Sequence, residues 1–121
     1  MAKKNERPWG QFTNLRVLPP HCKVKEIVVN PGHRLSLQRH EWRAEWWYTH
    51  SGNGIAILEE DGITTEYALM PGSMNYIPAM AWHRIDNTLG NEPLVIIEIQ
   101  SGEVCDEADI ERKSDDYGRS E

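Results

Sequence analysis

The sequence is poor in cysteine and in long apolar runs. Its two cysteines, Cys22 and Cys105, lack the close spacing of a zinc knuckle or a redox pair. No apolar run approaches the length of a membrane-spanning helix, and no apolar stretch follows the charged start of the chain as in a secretory signal. We therefore expect no membrane partner, a cytoplasmic location and reduced thiols.

Positive charge is also scarce. The chain has 13 Lys and Arg residues against 19 Asp and Glu residues, which gives a formal net charge of -6. Binding to a nucleic-acid backbone requires clustered basic side chains that neutralise phosphates, and the sequence contains no basic stripe. These observations predict that the protein has no nucleic-acid partner.

Helical patterning is nearly absent. Only residues 106–113 have a helical pattern, which predicts one short C-terminal helix. The other apolar runs are short and end at Gly, Pro, Asn or Asp, as strands do. Between two such runs, Asp61 and Gly62 form a strong hairpin signal.

The length of 121 residues is that of one domain. Many short strands with turn signals between them are typical of a closed or double-sheet all-β fold. We therefore predict a single domain over residues 1–121, with a core at about 12–102 and an arm at each end.

Two stretches carry possible metal ligands at regular spacing. The candidate ligands are Gln38, His40, Glu45 and His83. Side chains two residues apart on a strand share one face, so the first two should point to the same interior, and Glu45 begins the next strand. Two imidazoles, a carboxylate and an amide oxygen suit a borderline divalent metal. Zinc is expected, with iron, manganese, cobalt and nickel as alternatives.

These two stretches match the two motifs of the cupin superfamily. Gln38 stands where the first histidine of the first motif usually stands, and Met80 replaces the usual glycine of the second. The chain most closely resembles the C-terminal isomerase domain of type II phosphomannose isomerases. The segments that carry this resemblance are residues 7–10, 31–38, 43–45, 97–102, 109–110 and 115–119.

The resemblance implies a double-stranded β-helix, or jelly-roll barrel, that ligates its metal through the four candidate residues. It also implies phosphate contacts at Arg34 and Ser36, working roles for Arg43 and Arg119, and a homodimer. In that family the domain is often one half of a bifunctional enzyme with a sugar-nucleotide transferase, whereas we expect this chain to act as a stand-alone domain.

Two histidines of the family pattern are replaced by Trp42 and Trp46. Strand alternation predicts that Trp42 shares the inward face with Gln38 and His40, where it would contact substrate and reshape the pocket. The same alternation predicts that Trp46 faces away from Glu45. Because a histidine is a common proton carrier, the sequence leaves the general base of the site unidentified.

The resemblance and the ligand set together predict a metal-dependent aldose–ketose isomerase that acts on a phosphorylated sugar, of the mannose 6-phosphate and fructose 6-phosphate type. A second hypothesis is a non-catalytic metal-containing cupin that binds a sugar or sugar phosphate, since tryptophan stacks on sugar faces. A third is an iron-dependent oxygenase, which Gln38 in place of a histidine disfavours.

Overall fold

The computed structural model describes residues 4–119, which form eleven β-strands and no helix. In chain order these are β1 (Lys4–Arg7), β2 (Gly10–Leu18), β3 (Cys22–Val29), β4 (Leu37–Arg39), β5 (Arg43–Ser51), β6 (Gly54–Glu60), β7 (Ile63–Leu69), β8 (Met74–Ile77), β9 (Trp82–Asp86), β10 (Leu94–Gly102) and β11 (Glu111–Ser114). Nothing in this part of the chain could therefore cross a membrane as a helix.

The strands form two antiparallel sheets. One has six strands in the order β1-β2-β3-β10-β5-β8, and the other has five in the order β11-β4-β9-β6-β7. Buried side chains from both sheets form one apolar core, in which Val29, Ile85, Leu94 and Ile96 have no exposed surface. This arrangement confirms the predicted all-β class and is consistent with a cupin jelly roll.

The predicted hairpin is present. Strands β6 and β7 pair from Gly54 with Leu69 to Glu60 with Ile63, and the two turn residues between them have positive φ angles. A second turn depends on Gly52, whose φ is 84° and where an added Cβ would lie 2.4 Å from the carbonyl oxygen of Pro93. Only glycine fits that approach.

Alternation along β10 divides the interior into an apolar part and a polar part. Leu94 and Ile96 are followed on the same face by Glu98 and Gln100, which are also buried. Glu98 lies directly opposite the buried Lys25 of β3. Since burying charged groups is costly unless they are paired or functional, the polar part marks the region where a site is expected.

The predicted C-terminal helix is absent, and this prediction was wrong. The segment 106–113 begins as a turn, in which the Asp106 carboxylate accepts a hydrogen bond from the amide of Ala108 at 2.9 Å, and continues into β11. Strand β11 pairs with β4, so that Arg112 lies opposite Gln38. An eight-residue helix is marginal on its own. Here the Asp106 side chain and the pairing of β11 with β4 supply hydrogen-bond partners for the backbone instead.

The segments predicted as arms are joined to the sheets. Strand β1 pairs with β2 along its whole length, and Trp9 is buried in the core although it lies outside the range 12–102. At the other end, Tyr117 packs against the core. Residues 1–3 and 120–121 of the predicted domain lie outside the described residues.

Candidate metal centre

The fold brings the four predicted ligands together from three strands and one loop. Gln38 on β4 and His83 on β9 are direct cross-strand partners, so their side chains leave the same face of the five-stranded sheet. His40 follows β4, and Glu45 lies on β5 of the six-stranded sheet. All four side chains line one cavity between the sheets.

Three of these residues form a compact buried group. His40 Nε2 lies 3.1 Å from Glu45 Oε2, and His83 Nε2 lies 3.6 Å from Glu45 Oε1. Each residue offers a ligand atom, and these atoms all lie within 4.8 Å of one another. Exposed fractions of 4%, 1% and 3% for His40, Glu45 and His83 show that protein surrounds the group. Such a group is able to hold a metal ion.

Hydrogen bonds at Nδ1 hold both histidines in a fixed orientation. His40 Nδ1 lies 2.7 Å from the carbonyl oxygen of Asp109, and His83 Nδ1 lies 3.0 Å from that of Ala81. A carbonyl oxygen can only accept, so each Nδ1 carries the proton. Each Nε2 therefore points towards the Glu45 carboxylate, and an outer hydrogen bond of this kind commonly holds histidine metal ligands.

The electrostatics of the group agree with this assignment. Burial, which outweighs the attraction of Glu45, lowers the pKa of His83 to about 4 and favours the neutral imidazole. Burial alone would raise the pKa of Glu45, but the close contacts with His40, His83 and Arg43 hold this pKa well below its usual range. A neutral imidazole at His83 and an ionised carboxylate at Glu45 are the states that bind a divalent cation.

Two further side chains hold the Glu45 carboxylate in place. Arg43 Nε donates to Glu45 Oε2 at 3.1 Å, and its NH2 group lies 3.0 Å from the same oxygen. Trp47 Nε1 donates to Oε1 at 2.9 Å. Arg43 NH2 also lies 3.2 Å from His40 Nε2, where it meets the lone pair. The guanidinium of Arg43 therefore reaches both Glu45 and His40, which places positive charge beside the buried group.

The cavity has a volume of about 80 Å³, and its lining is rich in positive charge. The basic side chains of this lining are Arg7, Lys25, Arg43, Arg112 and Arg119. The carboxylates are Glu45, Glu98 and Glu107. Five cations against three carboxylates give this cavity a positive excess, although the chain as a whole carries a formal charge of -6. Such a site attracts an anionic ligand.

Of the residues predicted to contact substrate or to act on it, Ser36 and Arg119 line the cavity and Arg34 does not. Ser36 lines the cavity but is only 2% exposed. Arg34 does not line it, because its Nε and NH2 atoms donate to the two carboxylate oxygens of Asp116 at 2.8 and 2.9 Å. Arg119 lines the cavity and is held in the same way by Asp115, at 2.8 and 3.0 Å.

The predicted inward position of Trp42 was wrong. Its side chain is 47% exposed and does not line the cavity. Residues 41 and 42 form a bend between β4 and β5, and the Asp109 carboxylate accepts hydrogen bonds from both of their amides at 2.9 Å. The bend interrupts the alternation on which the prediction rested. Trp46 faces away from Glu45 as predicted, and contacts Tyr76 on the outer face.

Sequence reasoning did not identify the buried charges beside the metal group. Glu98 is 5% exposed, and burial together with the nearby Glu45 raises its pKa to about 7. Lys25 is 6% exposed and lies 2.7 Å from Glu107 Oε2. The signal was available in the alternation of β3 and β10, which places Lys25 on the same inward face as Ile27, and Glu98 on the same inward face as Ile96.

Comparison with known proteins supports the family resemblance seen in the sequence. The family model described as mannose-6-phosphate isomerase C-terminal matches residues 1–115. The chain is 41% identical over 114 residues to the alginate biosynthesis protein AlgA of Pseudomonas aeruginosa, covering 94% of this chain and 22% of that protein. It is 39% identical over 118 residues to the xanthan biosynthesis protein XanB of Xanthomonas campestris, covering 98% of this chain and 24% of that protein. The chain thus spans about a quarter of the length of these curated relatives.

Solved structures share the fold. The capsular polysaccharide assembling protein CapF from Staphylococcus aureus superposes with a TM-score of 0.80 at 23% identity, over 91% of this chain and 32% of that one. The oxalate decarboxylase of Lactobacillus farciminis, in its formate complex, superposes with a TM-score of 0.76 at 21% identity, over 93% of this chain and 33% of that one. At these identities the likeness establishes a cupin fold alone. By its sequence, the chain belongs to the mannose-6-phosphate isomerase C-terminal family.

Proposed function

We propose that this domain is a metal-dependent aldose–ketose isomerase that interconverts a phosphorylated aldose and ketose, of the mannose 6-phosphate and fructose 6-phosphate type. Membership of the family associates the chain with sugar-phosphate metabolism. The observation that carries the proposal is a buried His40–Glu45–His83 group that lines a cavity with an excess of positive charge. A neutral sugar would gain nothing from that excess, whereas a sugar phosphate would.

The ligand set favours zinc over magnesium or calcium. His40, Glu45, His83 and Gln38 would hold the ion through two nitrogen and two oxygen atoms, which is a borderline set. A divalent ion bound there would supply Lewis-acid polarisation of the substrate oxygens at C1 and C2. The remaining chemistry falls to side chains of this chain.

Arg43 is suited to stabilise negative charge on a substrate oxygen. Its guanidinium is 5% exposed, and it contacts both Glu45 and His40. Desolvation would lower its pKa, but the nearby Glu45 and Glu98 raise it, so the group stays charged. A fixed cation in a water-poor site stabilises an enediolate oxygen more strongly than water does.

Glu98 is the side chain best placed to carry the proton between C1 and C2. It lines the cavity beside Glu45 and accepts a hydrogen bond from Gln100 Nε2 at 2.7 Å. The other two carboxylates of the lining are occupied, since Glu45 faces the two histidines and Glu107 pairs with Lys23 and Lys25 at 3.3 and 2.7 Å. In this proposal Glu98 takes the role of the family-pattern histidine that this chain lacks.

A coupled assay tests the proposal. Purified protein reconstituted with zinc should convert mannose 6-phosphate to fructose 6-phosphate, and it should not isomerise mannose. Glu45→Gln should abolish turnover while the fold, followed by circular dichroism, is retained. Turnover that persists in Glu45→Gln, or that is absent from a zinc-loaded wild type, would refute the isomerase.

A further inference from the structure

We infer that two copies of this chain associate through the outer face of the six-stranded sheet. The surface is formed by the outward side chains of β10, β5 and β8, and we call it the outer aromatic face. The inference goes beyond the proposed function and does not depend on it. The sequence had left the surface of the expected homodimer unassigned.

Strand alternation places large apolar side chains on this face. On β5, Glu45 and Trp47 point inward and line the cavity, so Trp46 and Tyr48 point outward. The same alternation applies to β8 and β10. The large exposed side chains of the face are Trp46, Tyr48, Met74, Tyr76 and Ile99.

The register of the strands makes these side chains neighbours. Ile99 lies opposite Trp46, and Trp46 lies opposite Tyr76, whose ring centroid is 4.7 Å from that of Trp46. The adjacent row across the same three strands consists of Ile97, Tyr48 and Met74. Directly opposite residues on one face of a sheet contact each other. The two rows therefore form one continuous apolar patch.

The outer aromatic face carries no ionic side chain. Within residues 4–119, the outward positions of β10, β5 and β8 contain no Asp, Glu, Lys or Arg. The chain as a whole has a formal net charge of -6, so two copies repel each other overall. This face can approach its own copy without bringing like charges together, which favours a second copy over a partner recognised by charge.

The shape of the face is complementary to itself. Its aromatic side chains lie on β5 and β8, whereas β10 and the neighbouring β3 present smaller aliphatic ones, among them Val24 and Val28. A two-fold axis parallel to the strands would place the aromatic half of each copy over the aliphatic half of the other. A saccharide fits less well, because the rings of Trp46 and Tyr76 are inclined at 48° and form no flat stacking surface.

The size of the face is sufficient for a specific pair. Neighbouring strands lie about 4.8 Å apart and rise about 3.3 Å per residue, so the face over β3, β10, β5 and β8 covers roughly 500 Å². Apolar patches of this size are at the upper end of those that monomers leave exposed. Two copies would together bury roughly 1,000 Å², which is the area that a specific interface requires.

Sedimentation velocity on paired variants tests the inference. Wild type should pass from monomer to dimer as its concentration rises from micromolar towards millimolar. Trp46→Lys and Tyr76→Lys should each raise the dissociation constant about a hundredfold or more, because every dimer would bury two unpaired ammonium groups. The matched controls Trp42→Lys and Tyr67→Lys change side chains of similar exposure outside the face, and should dimerise as wild type does.

Hydroxyl-radical labelling of wild type gives a second measurement that needs no variant. Oxidation of Trp46 and Tyr76 should fall as the concentration rises, whereas oxidation of the exposed Trp42 should stay constant. Dimers that persist in both face variants would overturn the inference. So would a wild type that is monomeric at millimolar concentration, including one whose Trp46 fluorescence responds to mannotriose, which would make the face a saccharide site.

Discussion

The backbone carbonyl of Asp109 lies 2.7 Å from Nδ1 of His40, so the C-terminal segment orients a candidate metal ligand. The Asp109 carboxylate also accepts hydrogen bonds from the amides of Glu41 and Trp42. The loop that carries His40 is therefore held by a residue that lies 69 positions further along the chain. The site depends on residues that the first cupin motif does not contain.

We predict that Asp109→Ala weakens metal binding about tenfold to a hundredfold, because the partner of a ligating histidine loses its position. The two lost amide bonds should also lower the free energy of unfolding by about 2 kcal/mol. Competition with a chromogenic chelator measures the first effect, and urea unfolding the second. Asp106→Ala removes only a local bond to the amide of Ala108, so its metal affinity should match that of wild type. Equal affinity in all three proteins would contradict the prediction.

Replacement of Glu98 by glutamine should lower kcat about a hundredfold or more, since the proton carrier is removed while the shape is kept. Metal content and KM should change little. Glu107→Gln is the comparison, because that carboxylate is paired with Lys25 and lies outside the proposed proton path. If Glu107→Gln loses more activity than Glu98→Gln in steady-state assays, the assignment of the base is wrong.

Met80 occupies the position where the second cupin motif usually has glycine, and its φ is 70°. A side chain in this left-handed region costs about 1–2 kcal/mol. Met80→Gly should therefore change the free energy of unfolding by less than about 1 kcal/mol, because relief of strain offsets the lost contacts. Met74→Gly removes a similarly exposed methionine from β8 without such relief, and should destabilise by about 1–2 kcal/mol. Equal losses in chemical denaturation would contradict this account.

The C-terminal segment should weaken in acid. Hydrogen bonds from Arg119 and Arg34 lower the pKa of Asp115 and Asp116 respectively below the ordinary value of 3.8. A lowered pKa in the folded state gives stability that is present above pH 3.8 and lost as the pH falls through the lower value. The pairs are partly exposed, so the loss should be about 0.5 kcal/mol or less each.

The double variant Asp115→Asn, Asp116→Asn tests this prediction by urea unfolding at a series of pH values. The variant should be less stable than wild type above pH 4, and the difference should shrink below it. Glu66→Gln on the exposed strand β7 is the control and should follow the wild-type curve. A difference that does not depend on pH would show that the two ion pairs are not its source.

The grouping of Gln38, His40 and Glu45 could be predicted from the sequence because it depends on short-range geometry. Gln38 and His40 are two residues apart, and the glycine turns fix where the next strands begin. The inward position of Trp42 could not be predicted, because the bend at residues 41 and 42 is held by Asp109, a contact distant in sequence. The prediction of a helix at 106–113 was wrong for the same reason, because pairing of β11 with β4 decides the conformation of this segment.

The exposed position of Trp42 also affects the competing hypotheses. Trp42 and Trp46 were the features that favoured a non-catalytic sugar-binding cupin, and both side chains are exposed and lie outside the cavity. The expected homodimer and the cytoplasmic location stay predictions. The charged residues Lys25 and Glu98 were missed because alternation was followed for apolar residues only, although the same periodicity places both of them inside.

Metal analysis of the purified protein tests the central claim most directly. The His40–Glu45–His83 group should hold one divalent ion per chain, and Glu45→Gln and His83→Asn should each lower this to less than about a tenth while remaining folded. The outer-face variant His50→Asn should keep a full complement of metal. Wild-type protein that stays metal-free after incubation with excess zinc, or variants that retain the ion, would contradict the account.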